Sequence, residues 1–263
     1  SLFIEYLGAE SLPYVWIGTA LFLGTTIGFY HKLVEHRSRL NVVLGTLLTF
    51  IALLVFFRFL LATGTAVSAV AFYIFADVFS VVLVEQFWSL TNTIYNTKEG
   101  KRWYGFVGTG GLVGGVVAGG VAGTLLERTT MTTIDLLLVA AGILCLIFLL
   151  NLFMGRMGMF REVSGPERRT IGKGGWRALL ESKYIFLIAV MLLLAQLAEP
   201  VVEYQFMSAA EATYGELEAR TVYFSYFFSV LGFVAIGVNL VITPLTHRFL
   251  GTVAGLLAQP LLL

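Results

Sequence analysis

The side chains with the most chemistry to offer are carboxylates set inside apolar sequence. Asp77, Glu85, Gln86 and Asn92 interrupt the run AFYIFADVFSVVLVEQFWSLTNTIYN. At about 100° per residue, Asp77, Glu85 and Asn92 fall within roughly 80° of one another, which gives a helix one polar face. A carboxylate facing lipid costs at least about 2.5 kcal/mol, so this face must line a cavity or meet a partner helix. Such groups can contribute to a transport site or carry a coupling proton. The competing reading is structural, an ion pair or a protonated carboxyl bonded between helices. Asp77 lies about 16 Å along a helix from Ala66, close to a bilayer midplane, where transport sites sit.

A second polar set, Gln196, Glu199 and Glu203, is spaced 3 and 4 apart and shares one helical face, with Pro200 between to weaken the helix. A bent polar segment suits a gate or a ligand contact. Counting from Lys183 puts Glu203 about 30 Å along a straight helix, near the membrane surface, so a solvated rim is the alternative. His31, His36 and His247 all fall in charged connections, and the lone Cys145 sits in an apolar run. Neither a metal site, a histidine proton relay nor a nucleophilic triad is indicated, and the sequence calls for no cofactor and no enzymatic step.

The elements that position these groups follow from composition. The chain is 58% hydrophobic and 13% charged, with mean hydropathy +0.87, against roughly 25% charged in soluble domains. Its partner is the lipid bilayer, and a net charge of +1 gives no reason to expect nucleic acid. Apolar stretches long enough to span occur at 13–33, 40–61, 66–96, 104–126, 132–154, 182–204 and 219–245, with another beginning near 250. Without period-two strands they must be helices, so the fold class is an all-α membrane protein.

Fourteen of the seventeen basic residues lie in alternate connections, those around 32–39, 98–102, 156–183 and 248. Those loops are expected in the cytoplasm of a multi-pass inner-membrane protein. The alternating set, ATGT at 62–65, Glu127 to Asp135 and the stretch with Glu211, Glu216 and Glu218, would face outward with Glu5 and Glu10. This parity predicts a helix upstream of residue 1, and the apolar run ending at Leu263 predicts more chain downstream. The visible spans then number about two to nine of a twelve-helix bundle. The expected organisation is a first half over 1–154, a cytoplasmic inter-half loop over 155–181 and the start of a second half over 182–263. Arg58, near a span end, is expected to snorkel to the interface, with pairing to an intramembrane acid as the alternative. Trp16, Tyr30, Trp88, Trp103, Tyr104, Trp176 and Tyr204 fall near span ends as interfacial aromatics do.

The run GTGGLVGGVVAGGVAG at 108–123 lacks the Gly-Lys-Ser/Thr ending of a phosphate loop and lies within a span. Gly111, Gly115, Gly119 and Gly123 recur every four residues, a pattern that lets a neighbouring helix approach closely.

The stretch FADVFSVVLVEQFWSLTNTIYNTKEGKRWYGFVGTGG at 75–111 resembles the ATP/ADP translocase family. In that family an acidic residue precedes Phe-Trp by ten positions and an Asn and a Lys-Arg pair follow; here these are Asp77, Phe87, Trp88, Asn92, Lys101 and Arg102. SKYIFLIAVMLLLAQLAEPVVEYQF at 182–206 is similar to the segment opening that family's second half, with Glu203 at its acidic position. The resemblance implies a major-facilitator fold, a site between two halves and nucleotide (ATP/ADP) antiport by alternating access. It carries Asp77 and Glu203 over as transport residues. It also implies that the charged connections bearing Lys32, Arg37, Arg39, Lys101 and Arg102 latch the inward gate; their other role is topogenic. Two departures stand out. Met207 occupies the position four after Glu203 where the family commonly has lysine, and none of the five lysines lies deep in a span. The glycine-rich span and FWSLTNTIYN look closer to a bacterial branch often fused to soluble repeat or cyclic-nucleotide-binding domains, which implies a regulatory partner domain. The competing functions are a proton-coupled carrier of another small solute, using Asp77 or Glu85, and a membrane scaffold that anchors a signalling domain.

Overall fold

The computed structural model describes residues 2–34, 38–94, 97–159 and 182–242, together with Leu245. These residues are helical throughout and contain no strand. In chain order they are α1 (Leu2–Leu7), a 3-10 turn (Ala9–Ser11), α2 (Leu12–Val34), α3 (Arg39–Leu61) and α4 (Ala66–Ile94). There follow α5 (Thr97–Arg128), a 3-10 turn (Thr133–Asp135), α6 (Leu136–Arg156), α7 (Lys183–Thr213) and α8 (Leu217–Gly237), which runs into a π-helical turn (Val238–Ile242). Among the described residues five stretches are long and apolar enough to cross a membrane: Arg39–Leu61, Ala66–Asn92, Phe106–Arg128, Thr133–Arg156 and Leu217–Ile242. The protein is an all-α, multi-pass membrane protein. The span expected near 250 and most of the 155–181 connection lie outside the described residues.

Local chemistry sets the helix ends. Ser38 and Ser182 cap α3 and α7, their hydroxyls accepting from the Asn41 and Ile185 amides. Gly8 ends α1 and Gly64 turns α3 into α4, with φ of 69° and 66°, conformations that only glycine adopts without strain. Their amides donate to Ile4 and Leu61 carbonyls at 3.0 Å.

The core is built on α3. Val43, Leu47, Phe50, Leu54, Phe57 and Leu61 alternate steps of four and three, and pack against Leu137, Ala141 and Leu144 of α6 and Val78 and Val82 of α4. Phe50 lies 5.0 Å from Phe79 and Phe57 lies 4.9 Å from Phe75, ring centre to ring centre. The opposite sides of α3 and α6 carry Phe56, Phe59, Leu146, Leu150 and Phe153, exposed and equally apolar, as a lipid-facing surface must be.

Arg58 pairs with Asp135 at 2.6 Å, joining the end of α3 to the turn before α6. Asp135 also accepts from the Thr132 amide and hydroxyl, at 3.0 and 2.8 Å. Asp135→Asn is therefore expected to lower the thermal unfolding midpoint in detergent more than Arg58→Gln does, because it loosens the turn as well as the ion pair.

The outward set of connections predicted from charge gathers at one end of the bundle. There Glu5 meets Arg220, Tyr6 lies beside Gly64, and Thr133 donates to Thr221 at 3.1 Å. At the opposite end Gly155 of α6 meets Leu40 of α3.

Helices α5 and α8 make the most extensive pairing, and they run antiparallel. Val116 lies against Gly232, Gly119 against Ser225 and Ser229, and Gly123 beneath the Tyr226 ring. Ser229 donates to the Val116 carbonyl at 2.8 Å and Tyr226 to Glu127 at 2.7 Å.

Candidate functional site

The candidate site is a cluster of side chains from α2, α4 and α7, with Tyr73 at its centre. Tyr73 precedes Asp77 by one turn of α4, so both project from the same face. Its hydroxyl accepts the Trp16 indole N–H of α2 at 2.8 Å, and its ring lies 5.1 Å from Phe3 of α1. Asp77 and Glu203 of α7 lie within electrostatic reach of this hydroxyl and of each other. Thr19, buried on α2, points its hydroxyl toward Asp77 but stops short of hydrogen-bond geometry. Glu199, one turn before Glu203, adds a third carboxylate to the group. No basic side chain among the described residues acts on either Asp77 or Glu203. Asp77 and Glu203 are near enough for their negative charges to repel, a repulsion that one positive charge or a set of hydrogen-bond donors would relieve.

The structure thus brings Asp77, Glu203 and Glu199 together and leaves other expected residues apart. Glu85 lines a separate groove of about 420 Å³ with Ser80, Val81 and Val84. Asn92 and Gln196 are exposed. Gln86 is buried, with both amide atoms unpartnered. Glu203 is not at a helix end: α7 continues ten residues further, to Thr213, and Pro200 sits within it without ending it. Met207 lies one turn beyond Glu203, packed into an apolar cluster with Phe3, Ile4, Ala9, Leu12 and Val15, so the position where the resemblance would place a cation is filled by a thioether. Arg39 is exposed at the start of α3. Arg37 lies outside the described residues, as do the side chains of Lys32, Lys101 and Arg102.

Of the glycine series, Gly119 and Gly123 touch α8, while Gly111 and Gly115 face open space. A series of strict four-residue steps rotates by about 40° per step, so Gly111 stands about 120° from Gly123. The observed contact line runs through Leu112, Val116, Gly119 and Gly123, mixing steps of four and three.

Sequence reasoning missed Tyr73, Thr19 and Arg220, and it read Trp16 as an interfacial anchor. The available signals were the one-turn spacing of Tyr73 from Asp77 and the isolation of Arg220 among acidic and neutral connections.

The comparison that decides the family covers most of the chain: the model described as TLC ATP/ADP transporter matches residues 52–263. The chain belongs to the TLC ATP/ADP transporter family. Both acids of the facing pair, and the whole α5–α8 contact, fall inside the matched region of this TLC-family chain. It is similar to two proteins named ADP,ATP carrier protein 3. The one from Rickettsia conorii (strain ATCC VR-613 / Malish 7) is 35% identical over 66 residues, and the one from Rickettsia felis (strain ATCC VR-1525 / URRWXCal2) is 33% identical over 66. Each alignment covers 25% of this chain and 13% of the relative's length. No solved structure matches the chain.

Proposed function

We propose that this protein works as a secondary carrier that exchanges nucleotides, or another phosphorylated anion, by alternating access in the inner membrane of a bacterium. The observation that carries the reading is the family match over residues 52–263. In this reading the fold is of the major-facilitator type. Residues 1–154 belong to one half and 182–263 to the other, with the 155–181 connection and the other basic loops in the cytoplasm. Asp77 of α4 and Glu203 of α7 stand on opposite sides of the boundary between halves, so a substrate held between them is exposed to whichever side the halves part. Carboxylates repel phosphates, and their chemistry suits the other end of a nucleotide, where amino and hydroxyl groups donate hydrogen bonds. The phosphates would be drawn by the basic connections that hold Lys32, Arg37, Lys101 and Arg102. The work done is translocation, with no bond made or broken.

One observation favours a second reading. A carboxylate pair without a neighbouring cation suits a coupling proton, so a proton-coupled carrier of another small solute is the alternative.

Full-length protein reconstituted in liposomes loaded with ADP should take up labelled ATP, and the same nucleotides should raise its thermal unfolding midpoint in detergent, since a ligand bound only by the folded state stabilises it. Uptake driven by a pH gradient with every nucleotide silent would replace nucleotide exchange with the proton-coupled carrier.

A further inference from the structure

We propose that residues 2–11 form a strap that closes one end of the carrier over the Asp77–Glu203 pair, and that Arg220 is the latch holding it shut. The strap is made of α1 and the turn that follows. It buries Phe3, Ile4 and Ala9, continuing into Leu12 and Val15 of α2, against Trp16, Tyr73, Tyr204 and Met207. Tyr73 lies within electrostatic reach of both acids and holds Trp16 by a hydrogen bond, and Tyr204 and Met207 are within one turn of Glu203. The strap therefore packs directly on the residues next to the two acids, and in this proposal it covers them from this end of the bundle.

Two polar contacts fasten the strap to the region between α7 and α8. The Ala9 amide donates to Glu211 Oε2 at 2.8 Å, and Arg220 Nη2 lies 3.6 Å from Glu5 Oε2. Glu211 and Arg220 flank the connection between the two helices, so both fastenings reach one short stretch of chain. Arg220 is only 3% exposed. Its Nε donates to the Tyr214 carbonyl at 3.1 Å and its Nη2 to the Gly215 carbonyl at 3.3 Å, while Nη1 has no partner. A guanidinium taken out of water normally demands close carboxylate pairing and full hydrogen bonding. This one has a distant carboxylate and an idle nitrogen, so opening the strap and rehydrating the charge costs little. That balance suits a contact made and broken in each cycle better than a permanent structural pin. Gly8, with its left-handed backbone, separates α1 from the turn that leads into α2.

The latch does not depend on what the carrier moves, so its test needs no substrate. In full-length protein in membrane vesicles, with native cysteines replaced by serine, Met207→Cys places a reporter thiol beneath the strap. A membrane-impermeant maleimide is applied to the face that carries Glu5 and Arg220. The parent should label slowly. Glu5→Gln, Arg220→Gln and Glu211→Ala should each speed labelling by about tenfold, a bias typical of coupled conformational states. Combining Glu5→Gln with Arg220→Gln should give no further increase, because both remove one contact. Rapid labelling of the parent would show that the strap does not cover the site and would overturn the proposal. So would unchanged labelling in Glu5→Gln and Glu211→Ala protein that keeps its thermal unfolding midpoint. Faster labelling confined to Arg220→Gln, with a lowered midpoint, would make Arg220 a structural pin of the Tyr214–Gly215 connection instead.

Discussion

Gly119→Ala is expected to lower the thermal unfolding midpoint by several degrees and to depress the proposed exchange, while Gly115→Ala, one turn earlier on α5, leaves both unchanged or slightly improved. Both substitutions bring the same gain in helix propensity, about 1 kcal/mol. They differ in what the new methyl group meets. At Gly119 it would stand 2.6 Å from the Ser225 carbonyl oxygen and 3.0 Å from Ser229 Cβ. Backbone cannot swing aside as a long side chain can, so α5 and α8 must separate. Such overpacking costs about 1–3 kcal/mol. Separation would also stretch the hydrogen bonds from Ser229 to the Val116 carbonyl and from Tyr226 to Glu127. At Gly115 the methyl enters open space. Thermal melts of the two variants beside the parent decide the matter, and equal midpoints would remove close α5–α8 packing from the stability of the fold.

The spans were legible because lipid imposes one rule everywhere: long apolar runs become helices whose backbone bonds are internal. The faces were not. In α3, Phe57 is in the core and Phe56 and Phe59 face outward, all of the same residue type. Hydropathy carries no period when both sides of a helix are apolar, so only polar residues and glycines carry directional information. Even the glycines misled in part, because a fixed four-residue step drifts around a helix that turns every 3.6 residues. The end of α7 escaped for a related reason. QFMSAAEAT is too polar to count as a lipid-spanning run, and a membrane criterion stops near Tyr204 while the helix goes on to Thr213.

Site residues divided along the same line. Asp77 and Glu203 stood out because an acid in a span is rare and costly. Their partnership did not, since nothing local in a sequence reports that α4 and α7 face each other. Tyr73 and Trp16 were hidden by their amphipathic character: an aromatic with a polar tip reads equally well as a membrane-interface anchor, and only the 2.8 Å bond between them distinguishes the two roles. Arg58 and Arg220 were exceptions to the charge asymmetry of the loops. Both lie beside carboxylates, Arg58 in a close pair with Asp135 and Arg220 at 3.6 Å from Glu5, a reason for a basic residue to stand among acidic connections.

Asp77→Asn and Glu203→Gln are expected to move activity and stability in opposite directions. Each should lower the proposed nucleotide exchange by about tenfold or more, a loss of about 1.4 kcal/mol in transition-state stabilisation. The double variant should be little worse than the poorer single one, since residues that share one ligand couple and their effects do not add. Stability should respond with the reverse sign. The two carboxylates repel across α4 and α7 without a described cation between them, and the amide is the same shape without the charge. Either single substitution should therefore hold or raise the thermal unfolding midpoint, the trade of function for stability common where a site keeps strained groups for use. A structural ion pair predicts the opposite, a lower midpoint in both variants. Additive losses of exchange would separate the two acids into independent roles, and unchanged exchange in Asp77→Asn would remove that residue from the site.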